Sequence, residues 1–334
     1  MPEIRCVDLR QRNAESTDDF ACRMLAAWTQ PAGMKRTDSK DLYGPEGSQW
    51  FDRIKHADSY DLPKREYPRL KASYGELAAW FWGEPLLLMD LGSGSSPEKT
   101  APFIDLALRS KITLHVAAND ICKESAGAYC KALANDFRSL ASLNAVIGEY
   151  EPAIDWMGHY GYIRKCFMFL GSNIGNMTDP EAVSMLTHAR AMLSSRDIFL
   201  VSYDLRHGLR KSSEVIRLAY GCPLTKEFNL AILRRMETEC GATLDVSKFE
   251  HAPVYDEVTC RATSALRALV DQEFTILVRG MHHPISVKKD ELVHTEQSQK
   301  YVEPQMDRIV TQAGFRRHFL STDTTYSVAL FEAI

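Results

Sequence analysis

The chain has 334 residues and a formal net charge of −4, from 40 lysines and arginines against 44 aspartates and glutamates. This charge argues against a general nucleic-acid binder, which carries a basic face, and no apolar run approaches the roughly 20 residues that span a membrane. The length favours one elaborated domain or two lobes. The eight cysteines form no CxxC pair and no histidine pair has a metal-ligand spacing, so we expect reduced thiols, a cytoplasmic protein and no metal site.

The first 82 residues are expected to form an N-terminal helical segment. One helix is predicted at about residues 18–29, with the rest of residues 1–40 as loop. Apolar residues at helical spacing predict further helices at about residues 50–54 and 66–82. Because this segment precedes the first buried strand of the core, we expect it to act as a lid or as part of a substrate-binding lobe.

Residues 86–96, with the sequence LLLMDLGSGSS, mark the start of the core. An apolar run ends in an acid and a turn at Gly92 and Gly94, which predicts a buried strand, a tight loop and a helix over about residues 97–108. Backbone N–H groups at the start of such a helix can receive an anionic ligand group. A dinucleotide fingerprint would place a third glycine where Pro97 stands, and the Gly-Lys-Ser/Thr sequence that closes a P-loop is not present.

The next predicted strand, residues 112–118, leads into Asn119 and Asp120. An acid at this point can accept hydrogen bonds from both hydroxyls of a ribose. A glycine turn and this acid, without a pyrophosphate fingerprint, suit S-adenosylmethionine better than NAD. The alternative is that the two glycines form only a tight turn between a strand and a helix.

Strands and helices alternate from residue 86 to residue 205, with helices predicted at about 124–136 and 179–193. Apolar strands in such an alternation predict a doubly wound parallel sheet, and thus a Rossmann-like α/β fold. Ligands of these sheets bind outside the carboxyl ends of the strands. The segments expected at those ends are residues 92–96, Asp120, residues 149–150, residues 171–176 and Asp204.

The pattern of helical and alternating stretches predicts how the chain is divided into segments. Residues 83–205 are predicted as the core that holds the cofactor. Mixed helical and alternating stretches over residues 206–295 predict an inserted α+β lobe that binds the substrate. Residues 296–334 are predicted as a C-terminal helix and the closing strands of the core.

Several separated stretches are shared with one family, from about residue 40 to the end of the chain. With them, the chain resembles the ergothioneine-pathway histidine Nα-methyltransferases, which are class I S-adenosylmethionine-dependent enzymes with a substrate lobe. The resemblance implies N-methylation of a free amino acid, with the α-amino group of histidine as the first expectation. The most specific stretches are FLGSNIGN at residues 169–176 and TEQSQKY at residues 295–301, and the others include LGSG at 91–94 and FEH at 249–251.

The resemblance also implies a set of cofactor-binding residues. The glycine turn and Lys99 would hold the methionine end of the cofactor, Asp120 the ribose, and two residues after the next strand the adenine. In full, this implied set is Gly92, Ser93, Gly94, Lys99, Asp120, Glu149 and Tyr150.

A second implied set concerns the amino-acid substrate. Tyr60, Asn176 and Tyr220 would hold its α-amino and α-carboxylate groups, and Tyr43 would lie near the accepting amine, so that Tyr43 and Asn176 are the catalytic candidates. The residues implied to face the substrate side chain are Glu296, Ser298 and, by spacing from residues 249–251, Ser264. Ser264 stands where the family has a methionine against the imidazole, and a smaller polar residue there could widen the pocket.

Other interpretations of these residues and of the chain stay open at this point. Tyr43 and Tyr60 could be packing residues, Asn176 could brace a glycine turn, and Glu296 could pair with Lys300 at helical spacing. The substrate could instead be arginine, tryptophan or another indole. The chain could also be a non-catalytic protein that binds the cofactor, or a nicotinamide-dependent oxidoreductase.

Overall fold

A computed structural model of the chain describes residues 2–10, 17–81, 83–160, 163–206 and 213–334. The helices are α1 (Thr17–Trp28), α2 (Pro45–Lys55), α3 (Leu62–Ala79), α4 (Ala101–Arg109), α5 (Lys123–Asp136), α6 (Tyr150–Gly158), α7 (Asp179–Met192), α8 (Ser213–Tyr220), α9 (Pro223–Cys240) and α10 (Glu303–Gln312). The strands are β1 (Ile4–Asp8), β2 (Leu86–Leu91), β3 (Leu114–Asp120), β4 (Ser142–Ile147), β5 (Arg164–Phe169), β6 (Ile198–Asp204), β7 (Phe249–Asp256), β8 (Arg261–Ala268), β9 (Gln272–Val278), β10 (Met281–Val287), β11 (Leu292–Gln299), β12 (Phe315–Thr322) and β13 (Tyr326–Ala333).

The chain forms two compact units. The first unit consists of Met1–Leu9, Asp61–Arg210 and Gln299–Ile334, and the second of Arg10–Tyr60 and Lys211–Ser298. Residues 61–82, which were predicted with the N-terminal segment, thus belong to the first unit. Within the described ranges, no helix combines the length and the apolar character that crossing a membrane requires.

The first unit is built on an eight-stranded sheet with the order β1-β4-β3-β2-β5-β6-β13-β12. The first six of these strands are parallel, and β13 and β12 close the sheet in antiparallel orientation. The strand β2 is buried throughout, because its side chains alternate between two cores: Leu87 and Met89 in one, Leu86 and Leu88 in the other. The predicted Rossmann-like α/β sheet is confirmed.

The second unit combines helices with small antiparallel sheets. Strands β7, β8 and β11 form a three-stranded sheet, and β9 and β10 form a hairpin. The hydrophobic core of this unit includes Trp28, which lies edge-on to Phe249 and Phe274 at centroid distances of 5.8 and 5.7 Å. The unit contains most of residues 206–295, which were predicted as an α+β lobe, together with Arg10–Tyr60, which were predicted as part of a separate N-terminal segment.

Two local predictions are wrong. The N-terminal residues include β1, which pairs with β4, where only a helix and loop were expected. The helix after the glycine turn begins at Ala101 and not near Pro97, because the N–H groups of Thr100 and Ala101 first close a turn on the carbonyl of Pro97. Pro102 at the start of α4 fixes this later beginning, since proline is favoured in the first helical turn.

The alternative pairing of Glu296 with Lys300 on a helix is also wrong. Glu296 lies on strand β11, where four residues do not make a helical turn. Lys300 is 2% exposed, and its Nζ lies 3.1 Å from Oδ2 of Asp204, which is 1% exposed. Nη1 of Arg65 donates a hydrogen bond of 2.6 Å to the other oxygen of this carboxylate. Asp204 is therefore a buried acid with two cationic partners.

Asp204→Asn is expected to lower the free energy of unfolding by about 3 kcal/mol, because it leaves two cations without their buried counter-charge. Asp105→Asn is the matched control, because Asp105 is 49% exposed and pairs with Arg109 across one turn of α4. Such a surface pair contributes about 0.5 kcal/mol or less. Urea denaturation of both variants measures the difference, and equal losses would contradict the assigned role of Asp204.

Candidate functional site

The candidate site of the first unit lies where the order of its strands reverses. The chain leaves β2 towards β3 on one side and later returns to β5 on the other side of β2. In open α/β sheets, ligands bind in the crevice that forms outside the carboxyl ends of the strands at such a point. The turn after β2 and the turn after β5 therefore border the crevice.

The turn after β2 brings its backbone close to two side chains. Gly92 has a φ of +70°, a conformation that residues with a Cβ rarely adopt. A Cβ added to Gly92 would lie 2.6 Å from Nδ2 of Asn173 and 3.0 Å from the hydroxyl oxygen of Tyr150. Ser93 fixes the turn by donating its N–H to the carbonyl of Asn119 at 2.9 Å. Only a residue without a side chain fits at position 92.

Asp120, at the end of β3, is held by two backbone groups. Its Oδ2 accepts a hydrogen bond of 2.9 Å from the N–H of Gly94, and its Oδ1 accepts one of 2.8 Å from the N–H of Cys122. The N–H of Gly94 is therefore engaged within the protein. A carboxylate has about four lone-pair positions, so an acid can accept hydrogen bonds from backbone groups and from a ligand at the same time.

Glu149 and Tyr150 begin helix α6 at the end of β4. Glu149 is the residue that precedes the helix, and both side chains are partly buried. The ring of Tyr150 lies edge-on to Phe169 with a centroid distance of 5.0 Å. Burial, with smaller contributions from the charges of Asp120 and Asp90, raises the pKa of the Tyr150 hydroxyl. This hydroxyl is thus a neutral group beside the backbone of Gly92.

Lys99 provides a cation at the same crevice. Its Nζ lies 3.4 Å from Oε2 of Glu66, and a Cβ added to Gly171 would lie 2.5 Å from that nitrogen. The side chain of Lys99 is 24% exposed. The ammonium group is therefore placed against the turn after β5 and can bind an anionic group of a ligand.

Asp90, at the end of β2, is a buried acid of unusual pKa. Its Oδ2 accepts a hydrogen bond of 2.9 Å from the hydroxyl of Tyr129. Burial raises the pKa of this carboxyl to about 7, although the charge of Lys99 and the Tyr129 hydrogen bond oppose the rise. The folded protein therefore binds a proton at Asp90 in a pH range where the unfolded chain does not.

This difference predicts a pH dependence of stability that Asp90→Asn removes. Between the ordinary pKa of 3.8 and the folded value of about 7, only the folded state holds the proton, so stability falls as pH rises, and above that range the effect is constant. Relative to Asp90→Asn, the wild type is expected to lose about 1.4 kcal/mol per pH unit within this window. Urea unfolding of both proteins across the window measures this slope, and parallel pH profiles would contradict it.

The turn after β5 carries Asn176. Gly171 has a φ of +77° and Ser172 one of +59°, and the short 3₁₀ helix Asn173–Asn176 follows directly. The N–H of Gly171 donates hydrogen bonds to Oε1 of Glu66 at 2.6 Å and to Oγ of Ser202 at 3.0 Å. Asn176 is therefore held by a turn that is anchored on buried groups, and its side chain is partly exposed.

Two of the implied substrate residues share an aromatic cluster in the second unit. The ring of Tyr43 lies edge-on to Phe51 at 5.4 Å and to Phe228 at 5.3 Å. The ring of Tyr60 lies edge-on to the same Phe51 at 6.4 Å. Both tyrosines are partly exposed, so packing holds their rings while part of each side chain remains accessible.

The other implied substrate residues of the second unit come from three elements. Tyr220 ends helix α8, and Ser264 is fully buried on β8. Glu296 and Ser298 are two residues apart on β11, and side chains at that spacing point to the same face of a strand. Their common orientation agrees with a joint role towards one ligand.

The comparisons with known proteins cover nearly the whole chain. The sequence model of a family described as "Histidine-specific methyltransferase, SAM-dependent" matches residues 22–333. The chain belongs to this family. The histidine N-alpha-methyltransferases of Mycobacterium tuberculosis and Mycolicibacterium smegmatis are each 28% identical to it, over 86% and 91% of this chain and 87% and 91% of theirs. The 4-dimethylallyltryptophan N-methyltransferase of Aspergillus fumigatus is 22% identical over 98% of this chain and 96% of its own.

The protein is thus a class I methyltransferase that depends on S-adenosylmethionine, as the sequence predicted. The crevice of the first unit fits this cofactor, because position 92 leaves room only for backbone and Lys99 offers a cation. The individual cofactor and substrate residues remain predictions. The nicotinamide-dependent and non-catalytic alternatives have no support in these comparisons.

Two residues near the crevice were not singled out from the sequence. Asn173 belongs to the shared stretch at residues 169–176 but was not assigned a role. Glu66 is fully buried and lies one helical turn before Leu70, on the side of α3 that also carries Tyr74 and Leu77. An acid at an apolar position of a helix was the available signal.

Proposed function

We propose that this methyltransferase transfers the methyl group of S-adenosylmethionine to the α-amino nitrogen of free histidine. The observation that carries the proposal is the match of residues 22–333 to the histidine-specific family. Two relatives named as histidine N-alpha-methyltransferases add support, because they align with at least 86% of this chain. The resemblance implies a methionine at the position where this chain has Ser264.

The first unit is proposed to bind the cofactor. Lys99 would pair with its carboxylate, and Asp120 would accept hydrogen bonds from its ribose hydroxyls. The turn formed by Gly92, Ser93 and Gly94 would lie along the methionine end. Glu149 and Tyr150 would flank the adenine. This assignment is supported by the position of the glycine turn, Asp120, Glu149 and Tyr150 at the carboxyl ends of neighbouring strands, and of the Lys99 ammonium group against the turn after β5.

The chain's own contribution to the reaction is mainly orientation. S-adenosylmethionine supplies a methyl group on a sulfonium whose leaving group is a neutral thioether, so the leaving group needs no proton. The α-ammonium group of the amino acid must first give up a proton to water, because only the unprotonated amine can accept the methyl group. Asn176, Tyr60 and Tyr220 are proposed to fix the α-amino and α-carboxylate groups, and Tyr43 to lie beside the accepting nitrogen. Holding reactants in line in this way can supply a large part of the rate enhancement.

The substrate side chain is proposed to meet Glu296, Ser298 and Ser264. A glutamate can accept a hydrogen bond from an imidazole, an indole N–H or a guanidinium, so Glu296 alone does not select histidine. Ser264 is smaller than the methionine that the family resemblance implies at this position. One relative is named for a tryptophan derivative, and these two observations favour tryptophan or another indole as the second candidate substrate.

Binding measurements decide between the two candidates. Protein saturated with S-adenosylhomocysteine is titrated with histidine, arginine, tryptophan and 4-dimethylallyltryptophan. We expect histidine to bind tightest. Tighter binding of any other compound in this panel would overturn histidine as the substrate, while methylation of that compound would retain the wider class of amino-acid N-methyltransferases.

Glu296→Ala is expected to raise the Kd for histidine by about tenfold, because a charge-assisted hydrogen bond to the imidazole is lost. The affinity for S-adenosylhomocysteine is expected to stay unchanged. Glu273→Ala serves as the control, because Glu273 is an exposed acid on strand β9 of the same unit. An unchanged Kd for histidine in Glu296→Ala would exclude this residue from the side-chain site.

The remaining partners follow from the proposed reaction. A free amino acid is the proposed small-molecule partner, and we propose no nucleic-acid or membrane partner, given the net charge of −4. Location in the cytoplasm stays a prediction from cysteine usage. Salt-dependent binding to nucleic acid would contradict the proposal that the protein has no nucleic-acid partner.

A further inference from the structure

Glu66 is a fully buried acid whose two oxygens have different partners, all within the first unit. Its side chain is 0% exposed on helix α3. Oε1 accepts hydrogen bonds of 2.6 Å from the N–H of Gly171 and 2.6 Å from the hydroxyl of Ser202. The hydroxyl of Tyr326 in turn donates to Oγ of Ser202 at 3.1 Å. One oxygen of Glu66 thus anchors the turn that leads to Asn176.

The other oxygen faces Lys99. Oε2 is buried and accepts no hydrogen bond from the described residues, but Nζ of Lys99 lies 3.4 Å away. The backbone carbonyl of Lys99 also accepts a hydrogen bond from the hydroxyl of Tyr74, which lies on the same helix as Glu66. Helix α3 therefore holds Lys99 at both its backbone and its side chain.

A buried carboxylate at this position destabilises the folded protein unless its negative charge is compensated. Burying an ionised acid destabilises the folded protein, and a nearby cation and hydrogen bonds can offset this penalty. A free lysine side chain loses rotational entropy when a ligand fixes it. Lys99 loses much less, because Glu66 holds its ammonium group before a ligand arrives.

We propose that Glu66 is a positioning residue that joins the two halves of the reaction site: it orients Lys99 towards the cofactor and fixes the Gly171 turn that carries Asn176. The proposal rests on the proposed function, since the roles of Lys99 and Asn176 belong to it. Glu66 itself touches neither ligand in this assignment. Because one oxygen of Glu66 faces Lys99 and the other binds the Gly171 turn, a substitution can remove one contact and keep the other.

Glu66→Gln and Glu66→Ala separate the two contacts. The amide oxygen of glutamine can keep the hydrogen bonds to Gly171 and Ser202, but its neutral NH₂ group cannot pair with Lys99. Alanine loses both contacts. Glu76→Gln is the control, because Glu76 is exposed on the same helix.

Isothermal titration with S-adenosylhomocysteine, and then with histidine on the saturated protein, measures both effects. For Glu66→Gln we expect a Kd for S-adenosylhomocysteine about tenfold above that of wild type, with the Kd for histidine unchanged. For Glu66→Ala we expect both Kd values to rise. An unchanged Kd for S-adenosylhomocysteine in Glu66→Gln, or an equal rise of both values in that variant, would overturn the proposal.

A double-mutant cycle with Lys99→Gln keeps the test decisive if Glu66→Ala fails to fold. If Glu66 acts through Lys99, the double variant Glu66→Gln/Lys99→Gln binds S-adenosylhomocysteine no more weakly than Lys99→Gln alone. Additive losses would overturn the proposal. Wild-type protein that binds S-adenosylhomocysteine but not histidine would refute the proposed substrate, while the cycle would still decide the link between Glu66 and Lys99.

Discussion

Replacement of Asn176 by alanine is expected to raise the KM for histidine by about 100-fold, while the affinity for S-adenosylhomocysteine stays unchanged. The physical reason is the loss of hydrogen bonds to charged groups of the amino acid, which contribute about 1.5–3 kcal/mol. The Asn176 side chain lies at the end of the 3₁₀ helix after β5 and is partly exposed. Steady-state kinetics and isothermal titration measure the two quantities.

Asn173→Ala is the matched control for this experiment. Asn173 begins the same 3₁₀ helix, but its Nδ2 faces the backbone of Gly92. We therefore expect the opposite pattern, with weaker binding of S-adenosylhomocysteine and an unchanged KM for histidine at saturating cofactor. Equal loss of both ligands in Asn176→Ala would show that Asn176 only braces its turn.

Gly92→Ala is expected to weaken binding of S-adenosylhomocysteine by about 100-fold or more. The φ of +70° strains any residue with a Cβ by about 1–2 kcal/mol, and the added methyl group would meet Asn173 at 2.6 Å and Tyr150 at 3.0 Å. Side chains pushed aside in this way would move into the space proposed for the cofactor. Isothermal titration and thermal unfolding measure affinity and stability separately.

Gly83→Ala isolates the backbone strain from the steric effect. Gly83 has a similar φ of +79°, but an added Cβ would meet no atom within 4 Å. This variant is expected to lose about 1 kcal/mol of stability and to bind S-adenosylhomocysteine as wild type does. If Gly92→Ala also bound normally, the glycine turn would have no role in cofactor binding.

The sequence predicted the parts of the fold that have strong local signals. The apolar runs at β2, β5 and β6 and the start of α7 were recognisable, the last because Thr178 and Glu181 form a capping box there. The short strand β1 was missed, because only its pairing with β4 stabilises it in the sheet. The start of α4 was misplaced, because the turn that closes on Pro97 has no distinctive pattern.

The candidate site was predictable to a similar degree. The residues at the ends of β2, β3 and β4 follow from the rule for doubly wound sheets, and the family resemblance supplied the rest. Glu66 and Asp204 could not be assigned from sequence, because their roles depend on partners 105 and 139 residues away, Gly171 and Arg65. The role of a buried charged residue can be assigned only when such long-range contacts are known.

The central claim is methyl transfer to the α-amino nitrogen of histidine, and one incubation tests it most directly. The enzyme is mixed with histidine and S-adenosylmethionine that carries a labelled methyl group, and the product is analysed by tandem mass spectrometry. The predicted product is histidine with the label on the α-nitrogen and none on the imidazole ring. Label on the ring, or unlabelled histidine from an enzyme that labels another amino acid, would contradict the account.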